Sequence, residues 1–160
     1  MEQKKVSRCL IMAGALAALC GGFLFFVYAP IAAGQCREMY PELAHLYLPG
    51  LLAVEAIGLT YAGAMAEYFR IVVRIGQDRS FCRENARGLA RIACLMAAAG
   101  FLWALLVILP PLVWQVQYGA ALFAMLLAAA ASFAMGVLAW GLGKLLARAV
   151  ALKEENDLTV

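Results

Sequence analysis

The sequence is poor in charge and contains almost no histidine. Asp, Glu, Lys and Arg together make up only 14% of the 160 residues, and His45 is the only histidine. Because 66% of the residues are hydrophobic, the chain is too apolar to leave its surface in water as one soluble domain. The shortage of charge therefore excludes an ordinary soluble protein and indicates that lipid is the solvent.

Motifs for catalysis and metal binding are also missing from the sequence. There is no C-x-x-C pair, no G-x-S-x-G, no phosphate loop and no H-E-x-x-H. We therefore expect no catalytic residues, no metal and no cofactor, and we predict that the protein is not an enzyme. Cys36 is the only cysteine expected on the outer side of a membrane, where it is a candidate to join two subunits.

Four long apolar segments dominate what is present. A hydrocarbon core about 30 Å thick needs roughly 20 apolar residues in a helix. Segments of this length cover residues 6–33, 50–73, 89–113 and 118–146. The predicted fold class is all-α: a polytopic membrane protein with four transmembrane helices in a single domain. The first apolar run is too long for a signal-peptide core, so we expect it to be retained.

Basic residues are distributed unequally between the two sides of the predicted membrane. In the four-span arrangement, twelve of the thirteen lysines and arginines fall on one side, and only Arg37 falls on the other. The positive-inside rule assigns the basic side to the cytoplasm. Both termini, the loop at residues 74–88 and the tail at residues 147–160 are therefore expected there. The positive charge then reflects topology, and no direct contact with nucleic acid is expected.

Small residues recur at every fourth position in two of the helices. Such residues allow helices to pack closely in lipid. The fourth helix carries Ala120, Ala124, Ala128, Ser132 and Gly136, and the first carries Gly14, Ala18 and Gly22 beside Ala13, Ala17 and Gly21. The pattern predicts packing faces, or it reflects only the abundance of alanine. It leaves open whether the neighbouring helix belongs to the same chain or to a second copy in a homo-oligomer.

One carboxylate lies where a membrane makes charge expensive. Glu55 falls inside the second helix, without a basic neighbour on that helix. One interpretation is a proton or cation site, with Thr60 and Tyr61 as polar companions. The other is a protonated glutamate that bonds to a neighbouring helix or reaches the interface. Glu67 differs, because Arg70 lies three residues further on and a local ion pair accounts for it.

The loop before the third helix has a helical pattern of its own. Phe81, Asn85, Leu89 and Ile92 recur at steps of three and four residues and share one face. The opposite side carries Arg83, Arg87 and Arg91. The loop is therefore predicted to contain a short amphipathic cytoplasmic segment that leads into the third helix.

Two roles are open for these arginines. They contact anionic lipid headgroups, or they pair with the acidic tail on the same side of the membrane. Because an exposed ion pair stabilises a fold by only about 0 to 1 kcal/mol, such pairing would matter mainly as a docking surface. The candidate interaction surface comprises Phe81, Arg83, Asn85, Arg87, Arg91, Glu154, Glu155, Asn156 and Asp157.

The loop and the C-terminus together resemble a known family. The matching residues are Gly76, Phe81, Asn85, Leu89 and Ala93 in the loop, and Glu155-Asn156-Asp157-Leu158-Thr159-Val160 at the end. They resemble the G-x-x-F-x-x-x-N loop and the E-N-D-L-T ending of the bacterial domain of unknown function 2975 family, although four residues separate Gly76 from Phe81 where the family pattern has two. The resemblance implies a four-helix protein of the bacterial plasma membrane without an assigned activity. Family members are often encoded beside small helix-turn-helix regulators, which implies such a regulator as a cytoplasmic partner.

Two functions from different classes follow. The first is a non-enzymatic membrane protein that senses a signal or binds a partner through its cytoplasmic loop and acidic tail. The alternative is a small channel or transporter coupled to protons or cations, with Glu55 as the intramembrane carboxylate. This alternative predicts a water-accessible cavity that reaches Glu55.

Overall fold

The protein consists of apolar helices that are long enough to cross a membrane. The computed structural model describes residues 2–114 and 119–157. Its elements are α1 (Glu2–Phe23), a π-helical turn (Leu24–Tyr28), α2 (Ala29–Met39), a 3-10 helix (Pro41–Leu46), α3 (Tyr47–Gly76), α4 (Arg83–Trp114) and α5 (Ala120–Asp157). Within the described residues these elements form four candidate spans, the first of which combines α1 with α2. The predicted all-α, multi-pass membrane fold is therefore confirmed for this part of the chain.

The helices extend beyond the predicted spans at one end of the protein. α4 already begins at Arg83, so no separate helix precedes it among residues 77–82, and Phe81 lies in the loop before α4. Similarly, α5 continues to Asp157, so residues 147–157 of the predicted tail are a helical extension of α5, and residues 158–160 lie outside the described residues. Residues 147–157 contain no proline or glycine but include three alanines, two glutamates and one each of leucine, lysine and arginine, which favour a helix.

A proline explains the irregular turn in the first span. Pro30 has no backbone N–H, so it cannot bond to the carbonyl four residues earlier, and its ring crowds that carbonyl. The backbone is wider just before this point, where the N–H of Ala29 bonds to the oxygen of Leu24. This π-helical turn lets the first span continue through the proline without a break.

The helices pack in the order in which they occur in the chain. α1 packs on α3, α3 on α4, and α4 on α5, which share the most extensive contact. The small core of the protein lies between α3 and α4 and consists of Ile57, Ala64, Met96 and Ala99. Within the described residues α1 does not pack on α4 or α5. α1 and α5 therefore lie at the two edges, where they present large apolar side chains to lipid.

Small residues bring α4 and α5 into close contact. The buried small residues of α5 are Ala129, Ser132, Gly136, Ala139 and Gly143. A Cβ atom on Gly136 would lie 3.3 Å from the carbonyl oxygen of Ala93. The predicted ladder is therefore only partly correct, because Ser132 and Gly136 are buried but Ala124 is exposed. Steps of four drift by about 40° around a helix, whereas alternating steps of three and four stay on one face.

Candidate interaction site

Parts of all the long helices meet at one end of the protein, which we call the loop end. The hydroxyl of Ser7 in α1 donates to the carbonyl oxygen of Val72 in α3 over 3.1 Å. The loop at residues 77–82 follows α3 directly, and a contact between Arg83 and Glu154 brings the end of α5 to the same place. The 3-10 helix between α2 and α3 lies at the opposite end.

A left-handed residue ends α3 and turns the chain. Asp78 has a φ of 58°. The N–H of Asp78 bonds to the oxygen of Ile75 over 3.1 Å, and the N–H of Arg79 bonds to the oxygen of Arg74 over 3.0 Å. This pair of bonds is the Schellman arrangement, which satisfies carbonyls that a helix end otherwise leaves without donors. The loop therefore begins with a defined backbone conformation.

Asn85 fixes the rest of the loop from the inside. Its side-chain amide donates to the carbonyl oxygens of Arg79 and Ser80 over 3.1 and 3.0 Å. Its own oxygen accepts a longer bond from Arg74, at 3.4 Å. Asn85 is only 1% exposed, so it supports the loop and does not present a surface to a partner. Asn85 was expected on the interaction surface, but it is buried instead. The carbonyl groups of the loop need hydrogen-bond donors, and the side-chain amide of Asn85 provides two N–H groups.

A two-bond ion pair links the start of α4 to the extension of α5. Nε of Arg83 donates to Oε1 of Glu154 over 3.0 Å, and Nη2 donates to Oε2 over 2.5 Å. Two parallel bonds fix the relative orientation of the side chains more strictly than one contact does. Both side chains remain about half exposed or more, at 67% and 48%, so water screens the pair. The pair thus positions the acidic extension and adds little stability.

The other predicted surface residues surround this pair. Phe81 lies two residues before Arg83 in the chain and is 62% exposed. Glu155 and Asn156 are exposed on the α5 extension. The side chain of Asp157 lies outside the described residues. The loop end thus presents an exposed aromatic ring on the loop, and acidic and amide side chains on the extension.

Arg91 does not join this surface. Its Nη1 donates over 3.0 Å to Oε1 of Glu67 on α3. The same oxygen accepts a 2.6 Å bond from Arg70, which confirms the predicted local pair. Glu67 is 7% exposed, whereas both arginines are mostly exposed. Sequence reasoning found only the local partner. The contact with Arg91 could have been inferred from chain positions. Glu67 and Arg91 lie equally far from Arg79, and such residues lie side by side when two helices run antiparallel.

Glu55 is not joined to its predicted companions. It is half-buried in α3, and within the described part of the chain no hydrogen bond or ion pair involves it. The hydroxyl of Thr60 donates to the carbonyl oxygen of Ile57 over 2.7 Å. Tyr61 also bonds elsewhere. The three residues do not share one face of α3, because Thr60 and Tyr61 follow Glu55 by five and six residues, which places them on other sides of the helix.

Tyr61 instead takes part in a chain of hydrogen bonds across three helices. Nε1 of Trp103 donates to its hydroxyl oxygen over 3.2 Å. The hydroxyls of Tyr61 and Ser132 lie 2.6 Å apart, and Ser132 donates to the carbonyl oxygen of Ala128 over 2.6 Å. Because Ser132 has one proton, Tyr61 must be the donor between the two hydroxyls. Each polar group is thereby satisfied, which links α3, α4 and α5 inside the membrane.

Comparison with known proteins identifies a family and no individual relative. A family model described as "Protein of unknown function (DUF2975)" matches residues 31–160. No curated protein and no solved structure matches the chain. Among the residues that the structure describes, no group of three His, Cys, Asp or Glu side chains is placed to hold a metal ion. The matched residues include the loop, Asn85 and the extension that carries Glu154. The chain therefore belongs to the domain of unknown function 2975 family.

Proposed function

We propose that the protein is a non-enzymatic protein of the bacterial plasma membrane whose loop end lies in the cytoplasm and binds another protein. The distribution of lysine and arginine supports the orientation, since all but Arg37 belong to the loop-end side of the four spans. The candidate surface consists of the exposed loop around Phe81 and the α5 extension beside it.

The ion pair between Arg83 and Glu154 is the observation that carries this proposal. It holds the acidic extension against the start of α4, although neither partner is needed to fill a core. Asn85 keeps the adjacent loop in one conformation. A surface that is already ordered loses less conformational entropy when a partner binds. Phe81 supplies an exposed aromatic side chain of the kind that commonly anchors a protein interface.

The partner that we propose is a small helix-turn-helix regulator. The proposal rests on the resemblance to the family, which implies such a regulator as a cytoplasmic partner. Binding of that kind would let the membrane protein hold a regulator at the membrane and release it on a signal. The acidic and aromatic groups at the loop end are suited to a basic, partly apolar surface on the partner.

Photo-crosslinking in cells that make both proteins tests this function. A photoreactive phenylalanine analogue replaces Phe81, and a matched variant carries it at Phe123, an exposed position on α5 away from the loop end. We expect an adduct with a regulator from Phe81 and none from Phe123. Adducts with lipid alone, or the same adducts from both positions, would contradict the proposal.

Glu55 supports a second candidate, a pathway for protons or cations. A half-buried carboxylate inside a span, with no bonded partner in the described residues, is the pattern expected of an ion-coupling group. In proteoliposomes with an imposed pH or ion gradient, this candidate predicts flux that Glu55→Gln abolishes. Flux that persists in the variant would remove Glu55 as the site. No flux under any gradient would remove this function.

A further inference from the structure

A groove lies between α4 and α5 at the loop end. It has a volume of about 500 Å³. Its floor is formed by small residues of both helices: Ala86, Ala90, Gly143 and Ala147. The two helices approach closely at Gly143, where a Cβ atom would lie 3.4 Å from the carbonyl oxygen of Ala86 and 3.7 Å from the backbone nitrogen of Ala90. The close approach leaves a shallow apolar channel that no larger side chain fills.

Cationic side chains form the rim of this groove. Arg83, Arg87 and Lys144 all line it. The charge of Arg83 is matched by Glu154. Within the described part of the chain, Arg87 and Lys144 form no ion pair and no hydrogen bond. Arg87 and Lys144 therefore line the groove, and no carboxylate of the described residues forms an ion pair with either of them.

An aromatic ring marks the depth of the groove in the membrane. Nζ of Lys144 lies 5.9 Å from the centroid of the Trp140 ring, which also lines the groove and is exposed. Tryptophan concentrates at the level of lipid headgroups, where its apolar ring and its N–H both find suitable surroundings. We therefore infer that the cationic rim lies at the level of the lipid headgroups, next to the small apolar residues of the floor.

We propose that this groove binds an anionic glycerophospholipid, with its phosphate between Arg87 and Lys144 and an acyl chain on the apolar floor. Basic grooves between membrane helices are suited to lipid phosphates, which accept hydrogen bonds from guanidinium and ammonium groups. The floor offers no polar side chain that would recognise a sugar, a base or a peptide. The groove adjoins the proposed protein-binding surface, since Arg83 lines it, but binding of the phosphate requires neither Phe81 nor the pair between Arg83 and Glu154.

Native mass spectrometry of the full chain tests the proposal. The protein is released from nanodiscs that contain phosphatidylglycerol and phosphatidylethanolamine in equal amounts. The double variant Arg87→Gln/Lys144→Gln removes the two unpaired cations. The control Arg148→Gln/Lys153→Gln removes two exposed cations of α5 that do not line the groove. Both double variants lower the net charge by the same amount. A difference between them therefore distinguishes binding at the groove from a general attraction of the protein to anionic lipid.

We expect the native chain to retain phosphatidylglycerol in preference to phosphatidylethanolamine. The groove variant should bind it about twenty-five-fold more weakly, since each of the two interfacial cations contributes about fivefold. The control variant should stay within about twofold of the native chain, because its cations are elsewhere. Equal losses of phosphatidylglycerol binding in the two variants, or no loss in either, would overturn the proposal that the groove is a lipid site.

A change of shape without a change of charge provides the second test. Ala90→Phe places a ring on the groove floor on the membrane side of Arg87 and leaves both cations in place. We expect this variant to lose retention of phosphatidylglycerol while its thermal unfolding midpoint and elution volume match the native chain. Unchanged retention in a folded Ala90→Phe protein would overturn the acyl-chain part of the proposal. Glycerol phosphate has no acyl chain. If it displaced bound phosphatidylglycerol as effectively as added phosphatidylglycerol does, this part of the proposal would also be overturned.

Discussion

Glu55 and Glu67 occupy the same helix, yet only Glu67 is bonded to cations. Glu67 is nearly buried and accepts bonds from Arg70 and Arg91, whereas no described residue bonds to Glu55. The difference reflects position along α3. Glu67 lies near the loop end, where arginines of two helices reach it, and Glu55 lies towards the end that contains few charges. A carboxylate at the loop end thus stabilises contact between helices, while Glu55 makes no such contact in the described residues.

The largest expected effect is a difference between two isosteric substitutions. Glu67→Gln removes the charge that two arginines contact and should lower the free energy of unfolding by about 1 to 3 kcal/mol. Glu55→Gln should change it by less than about 0.5 kcal/mol, since no described charged partner is lost. Unfolding in detergent, followed by circular dichroism, measures both. Equal losses would show that the contrast between the two carboxylates has no energetic basis.

Tyr61 offers an intermediate case, since it lies between the two glutamates and is bonded without any charge. Tyr61→Phe keeps the ring and removes the hydroxyl that bridges Trp103 and Ser132. We expect a loss of about 0.5 to 1.5 kcal/mol, because hydrogen bonds between membrane helices are individually modest. Thr60→Val serves as control, since Thr60 bonds only within its own helix. A smaller loss for Tyr61→Phe than for Thr60→Val would contradict this ranking.

Among the bonded groups, the smallest expected effect belongs to the exposed ion pair between Arg83 and Glu154 at the loop end. A double-mutant cycle with Arg83→Ala and Glu154→Ala should give a coupling energy of about 0 to 1 kcal/mol, because both side chains are largely exposed. Raising the salt concentration should reduce the coupling further. A coupling energy as large as the loss of unfolding free energy in Glu67→Gln would contradict this expectation, since it would show that the pair stabilises the fold.

Composition and local spacing predicted the helices and the local contacts. Apolar runs identified the four spans because their length depends on bilayer thickness and not on tertiary structure. The pair of Glu67 and Arg70 followed from their spacing of three residues. The contact of Glu67 with Arg91 depends on how α3 and α4 align, which no local pattern contains. The same holds for Asn85, whose burial depends on the path of the loop.

The contact between Arg83 and Glu154 shows how such distant contacts can be inferred. The two residues lie almost equally far along the chain from Gly119, which directly precedes α5, as partners in antiparallel helices must. Sequence reasoning placed both on one side of the membrane and left the pairing open. It also missed the π-helical turn before Pro30, because a proline can end, bend or widen a helix and the sequence alone does not select among these.

The most direct test of the proposed function reverses the charges of this pair. With the photoreactive group at Phe81, the yield of the regulator adduct is compared among the native pair, Arg83→Glu, and Arg83→Glu/Glu154→Arg. The account predicts that the single reversal lowers the adduct, since it repels the extension from α4, and that the double reversal restores it. An adduct of equal yield in all three proteins would contradict the claim that this ion pair organises the binding surface.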